Sequence, residues 1–214
     1  MIVESNCREL TFLPGASGST KFWQPVIEKL PEQWSKKVIF YPGFSEYEPH
    51  LEVQSFQDLQ NHVLSQIVEP TVLIAQSMGG IFAVQMALQK PELIQTLVLV
   101  ATSGGIDMSF FDVVDWRTAY QKDLSVPDWF VQHHEYLDYQ LQHIQCPVLL
   151  IWGDSDSISP VAVGQYLNSK LKYSTLKIVK DGQHDLAKVH AHQVSQWIDD
   201  FIKTHLCESA KIYR

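Results

Sequence analysis

Among the side chains able to attack a carbonyl group, one serine stands where the backbone would make it reactive. The apolar run Thr71-Val72-Leu73-Ile74-Ala75 leads into Gln76-Ser77-Met78-Gly79-Gly80, and an apolar helical stretch follows from Ile81 to Leu88. A serine at a sharp strand-to-helix turn is held clear of the sheet with its hydroxyl presented. Residues two before and two after it must be small for the neighbouring backbones to pass, and Ala75 and Gly79 meet that demand. The same residues also fit a plainer description, an N-cap serine with glycine in the first helical turn, so Ser77 alone decides nothing.

A hydroxyl nucleophile needs a base, and the base needs a group that orients it. Both occur downstream. Gly153-Asp154-Ser155-Asp156-Ser157-Ile158-Ser159-Pro160 follows the apolar run Val148 to Trp152, and Lys180-Asp181-Gly182-Gln183-His184-Asp185 follows the run ending at Val179. Serine, acid and histidine therefore each come just beyond the C-terminal end of a predicted parallel strand, the edge where open α/β sheets assemble their sites. The chemistry this set could perform is acyl transfer through Ser77, with His184 as base and either Asp154 or Asp156 behind it. Met78, directly after the serine, offers a backbone N–H to a developing oxyanion. His190, His192 and His205 read as helix surface, and His133 and His134 as surface or as substrate contacts.

The elements that must position these residues are short β-branched runs alternating with amphipathic stretches, the pattern of a mostly parallel sheet with helices on both faces. Strands are predicted at Leu10 to Leu13, Val38 to Tyr41, Thr71 to Ala75, Thr96 to Val100, Val148 to Trp152 and Thr175 to Val179. The clearest helices are Phe56 to Ile67, Met78 to Gln89 and Val189 to Lys203. In the last of these Val189, Val194, Trp197, Ile198 and Phe201 share a face.

One stretch breaks the rhythm. Between the strands ending at Val100 and starting at Val148, Gly104 to Gln145 is far longer than a connection of about 2 to 6 residues. It carries Phe110, Phe111, Trp116, Tyr120, Trp129, Phe130, Tyr136 and Tyr139, so a helical insertion is expected, either plugging an open core face or covering a site.

The 214 residues suit a single domain, and a formal charge of -8 gives no electrostatic footprint for nucleic acid or an anionic membrane. Cys7, Cys146 and Cys207 are odd in number and widely spaced, which indicates neither a disulfide framework nor a zinc knuckle. No apolar run approaches the ~20 residues of a membrane span and no signal-peptide pattern opens the chain, so a cytoplasmic location is expected.

From Leu10 to about Leu206 the sequence resembles the α/β-hydrolase fold family, specifically its small serine esterases with a short helical cap. The family's acid loop, G-x-x-D-x-x-x-P, matches Gly153, Asp156 and Pro160, which implies Asp156 rather than Asp154 as the triad acid. Its histidine loop matches Gly182 and His184. The loop after the first strand, Leu13-Pro14-Gly15-Ala16-Ser17-Gly18-Ser19, implies Ala16 as the second oxyanion donor beside Met78. Pro14 stands where the family usually has a loop-anchoring histidine, and Tyr41-Pro42-Gly43-Phe44-Ser45 departs from the family's D-x-P-G-x-G-x-S; an early hairpin is also missing.

The resemblance implies hydrolysis of a carboxylic ester or thioester without metal or organic cofactor, in one domain with residues 104–145 as a cap. Lactone, amide or C–C hydrolysis, haloperoxidase or lyase activity, and simple ligand binding on the same fold are the alternatives. Trp116, Trp129 and Phe110 are the expected substrate contacts in an apolar acyl or alkyl pocket. The acidic balance of the insertion weighs against acyl-carrier-protein and CoA thioesters.

Overall fold

In the computed structural model, residues 9–114 and 127–209 are described. Six strands form one parallel sheet: β1 (Glu9–Leu13), β2 (Ser35–Val38), β3 (Thr71–Gln76), β4 (Ile94–Val100), β5 (Val148–Gly153) and β6 (Ser174–Val179), in the spatial order β2-β1-β3-β4-β5-β6. β3 and β5 are buried along their whole length, as strands covered on both faces must be, and their sequences are correspondingly near-continuous apolar runs. The edge strands β2 (SKKV) and β6 (STLKIV) carry lysines and exposed positions, which discourages pairing with another chain.

Seven helices are described: α1 (Gln24–Ile27), α2 (Phe56–Ser65), α3 (Gly79–Gln89), α4 (Asp128–Gln132), α5 (Val161–Lys170), α6 (Leu186–Val189) and α7 (Ala191–Ser209). One face of the sheet packs against α2, α3 and α5 through Leu59, Val63, Phe82, Met86, Val163 and Leu167. The other packs against α1, α6 and α7 through Val26, Leu186, Val194, Ile198 and Ile202. The order turns at β1, from which the chain first goes outward to β2 and then back to β3; ligands gather at such a switch point.

Two expectations are corrected. The second strand lies at Ser35–Val38, not Val38 to Tyr41, because β1 ends at Leu13 and leaves no partner beyond the Ile39 N–H bond to Phe12 O. Ile39 and Tyr41 turn into the core instead, and Pro42 follows. Val189 is exposed rather than on the buried face: a break at His190 separates α6 from α7, and Ile202 takes the interior role with Val194 and Ile198.

Residues 104–145 contribute no strand among the described residues, so β4 pairs directly with β5. Their described elements are short: a 3-10 turn at Met108–Phe110, α4, and a second 3-10 turn at Leu141–His143. Hydrogen bonds fasten this segment on both sides. Val114 N–H donates to Ser157 O, Leu137 N–H to Gly105 O, and Asp107 N–H to Asp138 Oδ2, while the Tyr166 hydroxyl donates to Asp138 Oδ1. No described helix is long and apolar enough to cross a membrane.

Candidate active site

Ser77 follows the last residue of β3 with a φ of 51°, a left-handed conformation rare for a side chain larger than glycine. Its neighbours hold it there. Ser77 N–H donates to Val100 O at 3.1 Å, and the Thr102 hydroxyl donates to Ser77 O at 2.5 Å. A Cβ on Gly79 would stand 2.5 Å from Pro14 O and 2.8 Å from Leu13 O, so glycine at this position lets the loop after β1 press against the first turn of α3.

The acid and histidine loops cross just beyond β5 and β6. A Cβ on Gly153 would meet Gly182 O at 2.1 Å, and that close backbone passage brings the two loops into register. His184 Nε2 lies 3.0 Å from Ser77 Oγ, and Nδ1 lies 2.8 Å from Asp156 Oδ2. Since a carboxylate accepts, the proton sits on Nδ1 and leaves Nε2 able to receive one from the serine. The Asp156 carboxylate is fully buried; its second oxygen accepts from the Ile158 and Ser159 N–H groups at 2.8 and 3.0 Å. Asp154 is exposed and accepts from Asp181 N–H at 2.7 Å, where it secures the turn beside the histidine loop. The structure thus brings Ser77, His184 and Asp156 together and leaves Asp154 outside.

Ala16 and Met78 line one cavity with Ser77 and His184, and neither of their N–H groups has a hydrogen-bond partner among the described residues. Pro14 does not leave the loop loose. The buried Tyr41 hydroxyl donates to Pro14 O at 2.8 Å, and Trp23 Nε1–H donates to Leu13 O at 3.1 Å. Burial raises the Tyr41 hydroxyl well above its ordinary pKa, so it is held as a protonated donor. Gln76, also buried, donates from Nε2 to His184 O at 3.3 Å and joins the nucleophile turn to the histidine loop. Sequence reasoning missed Tyr41, Trp23, Gln76 and Thr102. Only the departure at Pro14 signalled that another anchor had to exist.

The cavity holds about 370 Å³ and is lined further by Phe56, Ile81, Ile106, Met108 and Phe130. The expected aromatic contacts need revision. Phe110 is 85% exposed and does not line the cavity. Trp129 packs edge-on against Phe44, leaving its neighbour Phe130 to form the wall. Trp116 lies outside the described residues. Among the described residues no three His, Cys, Asp or Glu side chains cluster as metal ligands would.

A buried parallel sheet, a strained serine at the end of a central strand, and an acid and a histidine from later loops at the same edge define a class, and the comparisons agree with it. The chain belongs to the alpha/beta hydrolase fold family, whose sequence pattern matches residues 10–132.

Two similar proteins illustrate its neighbourhood. The uncharacterized hydrolase YugF of Bacillus subtilis (strain 168) is 24% identical over 244 aligned residues, covering 91% of this chain and 89% of the relative. A pimeloyl-[acyl-carrier protein] methyl ester esterase of Neisseria meningitidis serogroup A is 22% identical, covering 94% and 78%. Both alignments run longer than the 214 residues here, so these relatives carry residues without a counterpart in this chain. Among solved structures, 2-hydroxy-6-oxo-6-phenylhexa-2,4-dienoate hydrolase from Rhodococcus sp. strain RHA1 superimposes with a TM-score of 0.78 at 16% identity, covering 92% of this chain and 91% of that one. A thermophilic esterase from Thermogutta terrifontis gives 0.75 at 16%, covering 92% and 90%. At these identities the likeness extends to the fold.

Proposed function

We propose that the protein is a serine hydrolase that cleaves a carboxylic ester through an acyl-enzyme on Ser77. The observation that carries this reading is the continuous hydrogen-bonded line from Ser77 Oγ through His184 to the buried Asp156 carboxylate, opening on the cavity. Ser77 Oγ attacks the ester carbonyl while its proton passes to His184 Nε2. The carbonyl electron pair moves onto oxygen, where the Ala16 and Met78 N–H groups receive it. Collapse of this intermediate expels the alkoxide, which takes the proton from His184. Water then repeats the sequence on the acyl-enzyme, with His184 as base, and releases the acid and free Ser77.

Esters are favoured over other acyl compounds because this constellation needs nothing further to cleave them and because several relatives are named as esterases. Residues 104–145 are read as a cap over the cavity, inside a single domain. The partner is a small-molecule ester with an apolar acyl or alkyl portion lying against Phe56, Ile81 and Phe130.

A serine-directed fluorophosphonate tests the reading directly. Wild-type protein is expected to be labelled on Ser77 and to hydrolyse short p-nitrophenyl esters, with both lost in Ser77→Ala. Labelling that persists in Ser77→Ala would sink the proposal.

A second reading is favoured by the carrier-protein esters in the relatives' names. Asp107, Asp112 and Asp138 lie on the cap segment and oppose the approach of an acidic carrier. Equal turnover of a free methyl ester and of the same acyl group on carrier protein would favour the free ester as substrate.

A further inference from the structure

One part of the cavity wall is polar without serving the acyl transfer. The His133 ring lies flat on Phe56, with centroids 3.8 Å apart and planes 7° from parallel, and its Nε2 stands 3.0 Å from Glu135 Oε1. Both residues line the cavity that holds Ser77, and their side chains are 27% and 18% exposed. Phe56 belongs to the core, so the stack fixes the imidazole plane against an immobile surface. An ionised carboxylate only accepts hydrogen bonds, so the proton shared by the pair sits on His133 Nε2. That leaves two acceptors, Glu135 Oε2 and, in the neutral ring, His133 Nδ1, with no partner among the described residues.

The same cavity is lined by the apolar side chains of Phe56, Ile106, Met108 and Phe130, and by the polar ones of Asp107, Ser109 and His134. An alkyl chain filling the space would strip water from a carboxylate oxygen and return no hydrogen bond, and a second carboxylate would be repelled by Glu135. A group that donates protons satisfies both acceptors.

We propose that the substrate carries, besides its ester, a hydrogen-bond donor in the form of a hydroxyl or ammonium group, and that His133 and Glu135 select it. This rests on the reading of the cavity as an ester-hydrolysing site. It revises the picture of a purely apolar pocket: the hydrophobic walls seat the chain, and the pair reads what it carries.

The test uses two matched sets of esters, 6-substituted ethyl hexanoates and 6-substituted hexyl acetates, each ending in methyl, hydroxyl, ammonium or carboxylate. The donor is thereby offered from either side of the scissile bond. Binding to Ser77→Ala protein by calorimetry reports recognition whatever the turnover, while wild-type kcat/KM reports the reaction. In at least one set the hydroxyl or ammonium ester should bind tenfold or more tighter than the methyl ester, with the carboxylate weakest; whichever donor ranks first identifies the group.

Adding Glu135→Gln should reduce the ammonium preference at least fivefold, and adding His133→Phe, which keeps the stack on Phe56, should reduce that for hydroxyl. A flat ranking in both sets, a preference for carboxylate, or a ranking unmoved in both substituted proteins would overturn the proposal. Ranked binding without wild-type turnover of any ester would instead bring down the hydrolase reading and leave the recognition intact.

Discussion

The floor and the roof of the cavity are built differently. The floor is set by backbone: Ser77, Asp156 and His184 stand at the ends of β3, β5 and β6, and their turns meet through glycines that admit no side chain. The roof, which among the described residues comes from parts of 105–114 and 130–136, is held by single side chains packed into the core, Phe130, Leu137 and Leu141, and by two hydrogen bonds to the rest of the protein, Val114 N–H to Ser157 O and the Tyr166 hydroxyl to Asp138 Oδ1. A geometry fixed by backbone contacts tolerates little change, whereas one held by individual side chains can be altered piecemeal. Ser77, Asp156 and His184 are therefore over-determined in position, and on the proposed reading the walls that would choose a substrate are freer to vary.

The sharpest way to break this contrast is to exchange the roles of the two acids. Asp156→Asn should lower kcat by about 10³ to 10⁴, the scale for a triad acid, because the imidazole loses the partner that fixes its tautomer. Asp154→Asn should stay within about threefold, since its carboxylate accepts only from Asp181 N–H and the neighbouring Ser155 hydroxyl, on the exposed side of the loop. The reverse ranking in steady-state kinetics would mean that the acid loop is arranged otherwise.

Next in size is Gly153→Ala. The added methyl meets backbone rather than a side chain that could swing aside, so both loops must shift. A displacement near 1 Å at a reacting group costs on the order of 10²-fold in rate. Unchanged kcat would show that the crossing is looser than its contacts imply.

Tyr41→Phe removes the hydroxyl that holds Pro14 O and leaves a buried carbonyl short of a donor, at a cost of about 1 to 3 kcal/mol. Melting temperature should fall, and kcat should drop about tenfold as the Ala16 donor loosens, a change of roughly 1.4 kcal/mol in barrier. The folded pKa of Tyr41 is raised, so its contribution to stability is fully present below pH ~10, where an unfolded tyrosine ionises, and is lost above that. Stability curves of wild type and Tyr41→Phe should accordingly run parallel from pH 6 to 9.

The smallest effect belongs to the roof. Tyr166→Phe removes one partly exposed tie to Asp138 and should raise KM about two- to threefold with kcat held within about twofold. A kcat loss as large as that of Gly153→Ala would erase the distinction between floor and roof.

How far the sequence foretold all this depends on the range of the interaction. Ser77 and His184 were legible because type, order and strand end coincide locally for each; the same signals left Asp154 and Asp156 open, and only the resemblance to the family's acid loop, through Gly153 and Pro160, chose between them. β3, β4 and β5 were legible because full burial writes an unbroken apolar run. β2 was not: an edge strand needs no such run, and Ser-Lys-Lys-Val carries none. Val189 matched the helical period but fell on the far side of a break at His190, which no spacing marks. Tyr41 and Gln76 act on backbone oxygens of Pro14 and His184, 27 and 108 positions away, and a single donor to a distant carbonyl leaves no local pattern. In the insertion, aromatic content was visible but direction was not, so Phe130 lines the cavity where Trp129 and Phe110 were expected.

The place of the insertion has one more consequence. It falls between β4 and β5, so the chain before it holds Ser77, Ala16 and Met78, and the chain after it holds Asp156 and His184. On the proposed mechanism, each half carries a group that is inert without the other. A cut within the connecting segment would divide the molecule into a dormant acyl acceptor and a dormant proton carrier, and turnover regained on mixing would count their reunion along the β4 and β5 seam.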